Sequence, residues 1–159
     1  MIDVKIYSEY GSFPVYAKEG DSGVDVFARG FSLYSDPSVI LDAIQFTLFP
    51  NERILIHTGY YLDISNGYEC QVRSRSGLAL KQGLVVCNSP GTVDRSYKGE
   101  CNVILINQSQ IPQMIFIGDR IAQFVFCPVV KANFIQVRSR EELSISDRGE
   151  KGFGSTGIK

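Results

Sequence analysis

Arg53-Ile54-Leu55-Ile56-His57, Thr58-Gly59, Tyr60-Tyr61-Leu62-Asp63-Ile64, Ser65-Asn66-Gly67 and Tyr68-Glu69-Cys70-Gln71-Val72 follow one another without a gap, and they decide the fold class. Each five-residue run is rich in β-branched, aromatic or aliphatic side chains, and a glycine-bearing separator divides it from the next. Read as punctuation, the two separators predict hairpins. Working outward, Ile2-Asp3-Val4-Lys5-Ile6 alternates strictly, the period of a half-buried strand, and Val24-Asp25-Val26-Phe27-Ala28 starts another strand after Gly20-Asp21-Ser22-Gly23. Downstream, Cys101–Ile106, Gln113–Ile117, Ile121–Val130 and Asn133–Val137 are further β-type runs at short intervals. Only Ser76–Lys81 suggests a helical turn or two, because no other segment sustains a 3.6-residue apolar period. Many short strands with Gly and Pro turns predict an all-β fold, a barrel or sandwich of jelly-roll type.

Two segments break the strand pattern. Leu33–Gln45, with Tyr34-Ser35-Asp36-Pro37-Ser38, reads as a loop inserted between strands. Residues 138–159 begin with mixed charge and end G-E-K-G-F-G-S-T-G-I-K, too poor in apolar side chains to order themselves by burial. The expected organisation is one β domain over 1–137 and a mobile glycine-rich tail over 138–159.

A chain of 159 residues fits one domain that buries roughly two thirds of its unfolded surface, so neither a metal nor a disulfide is needed as a staple. Sixteen basic against seventeen acidic side chains, with no basic run, exclude bulk electrostatic attraction to nucleic acid or membrane surfaces. Phosphate recognition must therefore be local. Cys70, Cys87, Cys101 and Cys127 form no Cys-x-x-Cys pair, which predicts four buried thiols in a reducing compartment rather than a zinc site. His57, the lone histidine, lies on an apolar strand and reads as a packed or surface side chain. No apolar run spans a membrane and the N-terminus carries no secretory core, so an intracellular, cytoplasmic location is expected.

Five segments can carry chemistry. Asn88 to Glu100 reads N-S-P-G-T-V-D-R-S-Y-K-G-E, in which Pro90-Gly91 and Lys98-Gly99 are turn signals around Asp94 and Tyr97. It is either an ordinary hairpin or a rigid loop that holds a base and a ring in place. Arg73-Ser74-Arg75-Ser76-Gly77 sets guanidinium and hydroxyl groups before a helical turn, as a phosphate cradle or as a strand end paired to surface carboxylates. Gly118-Asp119-Arg120-Ile121-Ala122-Gln123 turns into a strand, and an Asp119–Arg120 ion pair bracing the turn is its plainest reading. In the tail, Arg148, Phe153, Ser155 and Thr156 stand among Gly149, Gly152, Gly154 and Gly157, whose N–H groups suit phosphate oxygens while Phe153 suits a planar ring. In Gly20-Asp21-Ser22-Gly23-Val24-Asp25, either Asp25 holds a hydrated cation through water, or Asp21 is a turn residue and Asp25 an exposed strand position.

Taken in order, P-V-Y-A-K-E-G-D-S-G-V-D-V at 14–26, R-S-G-L-A at 75–79, the 88–100 stretch, G-D-R-I-A-Q at 118–123 and R-G-E-K-G-F-G-S-T-G at 148–157 resemble the five motifs of the trimeric deoxyuridine triphosphatases, over nearly the whole chain. The resemblance implies a distorted jelly-roll-like β-barrel, a homotrimer with shared active sites closed by the tail, and magnesium-assisted hydrolysis of dUTP to dUMP and pyrophosphate. That reaction limits uracil incorporation into DNA and supplies dUMP for thymidylate synthesis. By the same resemblance Asp94 deprotonates the water that attacks the α-phosphorus, and Tyr97 packs on deoxyribose. Asn88 and the backbone of the 88–94 hairpin, with Gly91 and Val93, read the uracil edge; Arg75, Ser76, Gly77 and Gln123 hold phosphates. Asp25 positions hydrated Mg²⁺ through water. Arg148, Gly154, Ser155 and Thr156 reach the γ-phosphate, while Phe153 covers the base. The related dCTP deaminases share the Arg-Ser element, but Asp94 with Tyr97 and the full tail favour pyrophosphate release. Three departures from the family pattern stand out: Lys151 in place of a frequent Gly, Arg95-Ser96 in place of a pair ending in an acidic residue, and a long Leu33–Gln45 connection.

Overall fold

Side-chain alternation along 53–64 builds the core. Ile54, Ile56, Tyr60, Leu62 and Ile64 are buried, while Tyr61 and Asp63 between them face outward. The computed structural model describes residues 1–150. Its strands are β1 Val4–Ser8, β2 Val24–Phe27, β3 Gly30–Ser32, β4 Gln45–Leu48, β5 Arg53–His57, β6 Tyr60–Ile64, β7 Tyr68–Arg73, β8 Leu84–Val86, β9 Gly91–Val93, β10 Val103–Asn107, β11 Gln113–Phe116 and β12 Arg120–Pro128. One helix, α1 Ser76–Gln82, lies between β7 and β8. All pairings are antiparallel: two four-stranded sheets, β3-β5-β10-β8 and β2-β12-β7-β9, and two ribbons, β1-β6 and β11-β4. The fold is all-β and jelly-roll-like.

The chain divides into Met1–Val129 and Val130–Lys159. In the first unit Phe31, Tyr60 and Phe124 are the largest fully enclosed side chains, each contributing roughly 2–3 kcal/mol by burial. Asn107 is also buried there. It donates to the carbonyls of Leu48 (2.9 Å) and Ile111 (2.8 Å) and accepts from the Ser109 N–H and hydroxyl, so every polar group it brings inside is paired. Among its described residues the second unit contains a single 3-10 turn, Arg140–Glu142. No helix among the described residues is long and apolar enough to cross a membrane.

Four expectations need correction. Thr58-Gly59 and Ser65-Asn66-Gly67 close no hairpins: β5 pairs with β3 and β10, β6 with β1, and β7 with β12 and β9. Thr58 is fully buried, with its hydroxyl donating 2.9 Å to the Cys101 carbonyl, and Gly59 at φ +69° redirects the chain from one sheet to another. For the same reason 88–94 is no hairpin, because β8 and β9 edge different sheets. Asn133–Val137 forms no strand, since among the described residues none pairs with it and a strand needs a partner for its backbone groups. Finally, Cys70 and Cys101 are buried but Cys127 is half-buried and Cys87 exposed, the alternation that buries Val86 turning its neighbour outward.

Candidate active site

The candidate site residues between 25 and 123 fall into two clefts of the first unit that share no lining residue. One, of about 350 Å³, is lined among others by Asn88, Gly91, Val93, Asp94 and Tyr97. The other, of about 320 Å³, is lined by Asp25, Arg75, Ser76, Gly77 and Gln123 together with Val15, Ala17, Asp21, Ser22 and Gly23.

The first cleft owes its chemistry to an open sheet edge. β9 pairs with β7 through Val93↔Cys70, Thr92↔Gln71 and Gly91↔Val72 and, among the described residues, has no strand neighbour on its other side. Its outer N–H and C=O groups are thus available to a ligand edge, as at any unpaired strand. Val93 is buried and offers only this backbone, whereas Asn88 is exposed. Gly91 has little room for a side chain, since a Cβ there would lie 3.2 Å from Asn88 Nδ2 and 3.3 Å from Val72 Cβ. Ser89–Pro90, on the approach to β9, is a cis peptide.

Past β9 the chain turns tightly, the Tyr97 N–H donating 3.0 Å to the Asp94 carbonyl, which leaves the Asp94 carboxylate exposed at the cleft. The Tyr97 hydroxyl donates 2.9 Å to the Glu100 carbonyl, and the ring lies over Gly99, where a Cβ would approach the hydroxyl to 2.5 Å. Desolvation by burial raises the Tyr97 phenol above its ordinary value, so it stays a neutral donor. Burial likewise pushes the Cys101 thiol at the same cleft up to about 12, which makes it a poor nucleophile at neutral pH.

Charge organises the second cleft. Asp25 on β2 sits opposite Gln123 on β12. Its Oδ1 accepts from Arg75 Nε at 2.7 Å and its Oδ2 from Arg120 Nη1 at 3.2 Å, while Arg75 Nη1 also donates 3.1 Å to the Arg120 carbonyl. A register shift between Arg120 and Ala122 marks a bulge at this point of β12, a device that re-aims side chains beside sites. Among the described residues the expected Asp119–Arg120 ion pair does not form: Asp119 accepts from the Phe116 N–H at 2.9 Å to close its turn, and Arg120 serves Asp25. Gln123 Nε2 donates 2.9 Å to the Ser74 carbonyl, and its Oε1 passes where a Cβ on residue 23 would stand at 2.3 Å, so Gly23 is required for this side chain to lie flat. Ser76 and Gly77 open α1, whose C-terminus is capped by Gly83 at φ 67°.

Among the lining residues Arg75 is the one cation, set against Asp21 and Asp25. That balance is unsuited to a polyphosphate without further positive charge. No group of three or more His, Cys, Asp or Glu among the described residues makes a metal cage. Asp25 has both oxygens engaged by arginines, yet each carboxylate oxygen retains a second lone pair for a metal-bound water. The donor set therefore suits a hydrated Mg²⁺ held mainly by phosphates, and not a metal bound directly by protein. Arg148 lies in the 147–150 turn of the second unit, where Gly149 N–H donates 3.0 Å to the Ser146 carbonyl. Phe153, Gly154, Ser155, Thr156 and Lys151 lie outside the described residues.

Sequence reasoning gave Glu100 no role, although it ends the 88–100 stretch, and did not single out Asn102 or Ile104; all three line the first cleft. Glu100 pairs with His57, 43 residues away, at 2.7 Å. No local pattern announces such a contact.

A sequence model of the dUTPase family matches residues 30–157 of this chain. The deoxyuridine 5′-triphosphate nucleotidohydrolase of Hydrogenobaculum sp. (strain Y04AAS1) is 44% identical over 156 residues, covering 98% of this chain and 97% of that protein. The protein of the same name from Chlamydia caviae is 47% identical over 146 residues, 92% of this chain and 91% of that one. Among solved structures, Staphylococcus bacteriophage 80alpha dUTPase with dUpNHpp superposes with a TM-score of 0.73 at 26% identity, covering 99% of both chains. A mutant dUTPase of S. aureus phage phi11, described for its coordination of a structural Mg(II) ion, shares the fold at a TM-score of 0.66 and 24% identity, covering 89% of this chain and 99% of that one.

Proposed function

The chain belongs to the dUTPase family, and from that premise we propose that it hydrolyses dUTP to dUMP and pyrophosphate as a homotrimer in which the two clefts of different copies face one another. The observation that carries this reading is the division of labour between the clefts: an open strand edge beside Asp94 and Tyr97 in one, and Asp25, Arg75, Ser76 and Gln123 in the other. Each is half of a nucleotide triphosphate site. A second copy supplies the missing half, so the oligomer is part of the chemistry.

In this reading the outer edge of β9 and the Asn88 amide bond the uracil edge, and Tyr97 packs on deoxyribose where a 2′-hydroxyl would otherwise fit. Asp94 accepts a proton from a water as its oxygen attacks the α-phosphorus. The bond from α-phosphorus to the bridging oxygen breaks, releasing pyrophosphate and leaving dUMP with the new oxygen. In-line positioning and charge neutralisation supply most of the acceleration in such transfers. Arg75, Ser76, the Gly77 backbone and Gln123 orient the phosphates, and Asp25 orients Arg75 and Arg120. Asp25 would hold a hydrated Mg²⁺ through water, and the ion would supply the positive charge that the cleft lacks. Arg148, Gly154, Ser155, Thr156 and Phe153 are assigned to the γ-phosphate and the base, and truncation after Asp147 is expected to slow turnover strongly.

Pyrophosphate release across dUTP, UTP, dCTP and dTTP with Mg²⁺ tests the proposal. Strong preference for dUTP is expected. Ammonia from dCTP without pyrophosphate from dUTP would overturn it.

A further inference from the structure

Behind the Asp94–Tyr97 cleft runs a chain of enclosed polar groups that the proposed chemistry does not use. Glu100 is its centre. Its backbone carbonyl accepts the Tyr97 hydroxyl at 2.9 Å. Its carboxylate, with a side chain only 15% exposed, accepts at Oε1 from the N–H groups of Thr58 (2.9 Å) and Gly59 (2.7 Å), and at Oε2 from His57 Nδ1 (2.7 Å). With its amide nitrogen turned inward, Asn102 adds donations of 3.1 and 2.9 Å to the same two oxygens. A carboxylate so surrounded is an anchor: its lone pairs are engaged, and water has little access to it.

His57 extends the chain inward. Its Nε2 lies 2.8 Å from Ser32 Oγ, and Ser32 gives its only hydroxyl proton to the Val39 carbonyl at 2.7 Å. A carbonyl has no proton to offer, so Ser32 accepts from His57. Nδ1 donates to the carboxylate. His57 thus braces Glu100 through Nδ1 while gripping the Leu33–Gln45 loop through Ser32. Breaking one partner of such an enclosed pair leaves the other without compensation.

We infer that Glu100 and His57 are positioning residues for sugar discrimination: they fix the carbonyl to which the Tyr97 hydroxyl is tied, and so hold the ring where it excludes a 2′-hydroxyl. The inference rests on the proposed contact of Tyr97 with deoxyribose. Two features make the ring's position depend on this anchor. Gly99 leaves room for it, since a Cβ there would come within 2.5 Å of the hydroxyl, and the Glu100 carbonyl is the acceptor that ties the hydroxyl in that place. Tyr97 is otherwise half-exposed and would swing freely.

The test is the ratio of kcat/KM for dUTP to that for UTP, measured on one preparation of each variant, so that any inactive fraction cancels. Glu100→Gln keeps the shape but cannot accept on both arms, and Tyr97→Phe keeps the ring but removes the tie. Each is expected to lower the ratio about tenfold, the scale of one lost hydrogen bond used in discrimination. His57→Gln, which cannot donate to both ends, is expected to lower it by a smaller factor. Tyr97→Ala serves as the reference and should collapse the ratio. If it does so while Glu100→Gln and Tyr97→Phe leave the ratio unchanged, the anchoring role is wrong and the Tyr97 assignment stands. If Tyr97→Ala itself leaves the ratio unchanged, the assignment beneath the inference is wrong and the inference falls with it.

Discussion

The two clefts solve recognition by different physics. Around Asp94 the protein presents backbone and shape: an unpaired strand edge, a ring lying over a glycine, and an enclosed carboxylate pinning the ring from behind. Around Arg75 it presents charge already balanced, with Asp25 shared between two guanidinium groups. The first arrangement suits a planar base and a sugar, whose differences are matters of hydrogen-bond pattern and volume. The second suits phosphates, which take over guanidinium contacts from a carboxylate with little rearrangement. Neither cleft holds both a base and a phosphate cradle.

The comparison breaks most sharply at Asp94. Replacing it with Asn removes the proton acceptor and little else, so turnover should fall by roughly 10³-fold or more while dUTP binding, followed by titration calorimetry, stays within a few-fold of wild type. Near-normal turnover would refute its role as the base. Arg75→Ala should act on affinity, raising the dissociation constant of dUTP by roughly 10–100-fold and flattening its dependence on ionic strength, because a charge contact is lost. An unchanged salt dependence would remove the charge-based reading of that cleft. Gly91→Ala is the mildest of the three. Its added methyl meets Asn88 and Val72 at 3.2–3.3 Å, and a loss of affinity of about tenfold or less is expected for dUTP, with the salt dependence intact.

Stability separates from all of these. Phe124→Ala empties a fully enclosed site against Tyr60, whose ring centroid is 6.2 Å away, and is expected to cost about 3–5 kcal/mol in urea unfolding. A cost below about 1 kcal/mol would show that the core collapses to fill the space.

Much of this molecule was legible from side-chain period. β5, β6 and β7 lie where alternation and β-branched content put them, and α1 covers the single stretch with helical character. What the period did not carry is sheet membership. Gly59 and Gly67 mark turns, but a left-handed glycine reverses or redirects a chain equally well, and here each hands the chain to another sheet. The three-residue strands β3, β8 and β9 are too short to show a period, and β9 is hidden inside a run of turn residues. Motif order named side chains on both clefts, yet the sorting into two clefts follows from register, as in Asp25 opposite Gln123 and Gly91 opposite Val72. The His57–Glu100 contact was invisible for a simpler reason: its members stand 43 residues apart, and His57 belongs to no motif.

The division of the site between copies is tested most directly by mixing two impaired proteins and assaying them at dUTP concentrations well below the wild-type dissociation constant, where the lost affinity of Arg75→Ala shows as lost turnover. Asp94→Asn retains a working phosphate cleft, and Arg75→Ala retains a working base cleft. Unfolded together and refolded as mixed oligomers, they should regain about a quarter of wild-type dUTP hydrolysis, the product of two one-half chances that a site draws each intact half from the right copy. Activity no higher than the sum of the two separate variants, in mixtures shown by mass spectrometry to contain mixed oligomers, would contradict a site shared between chains.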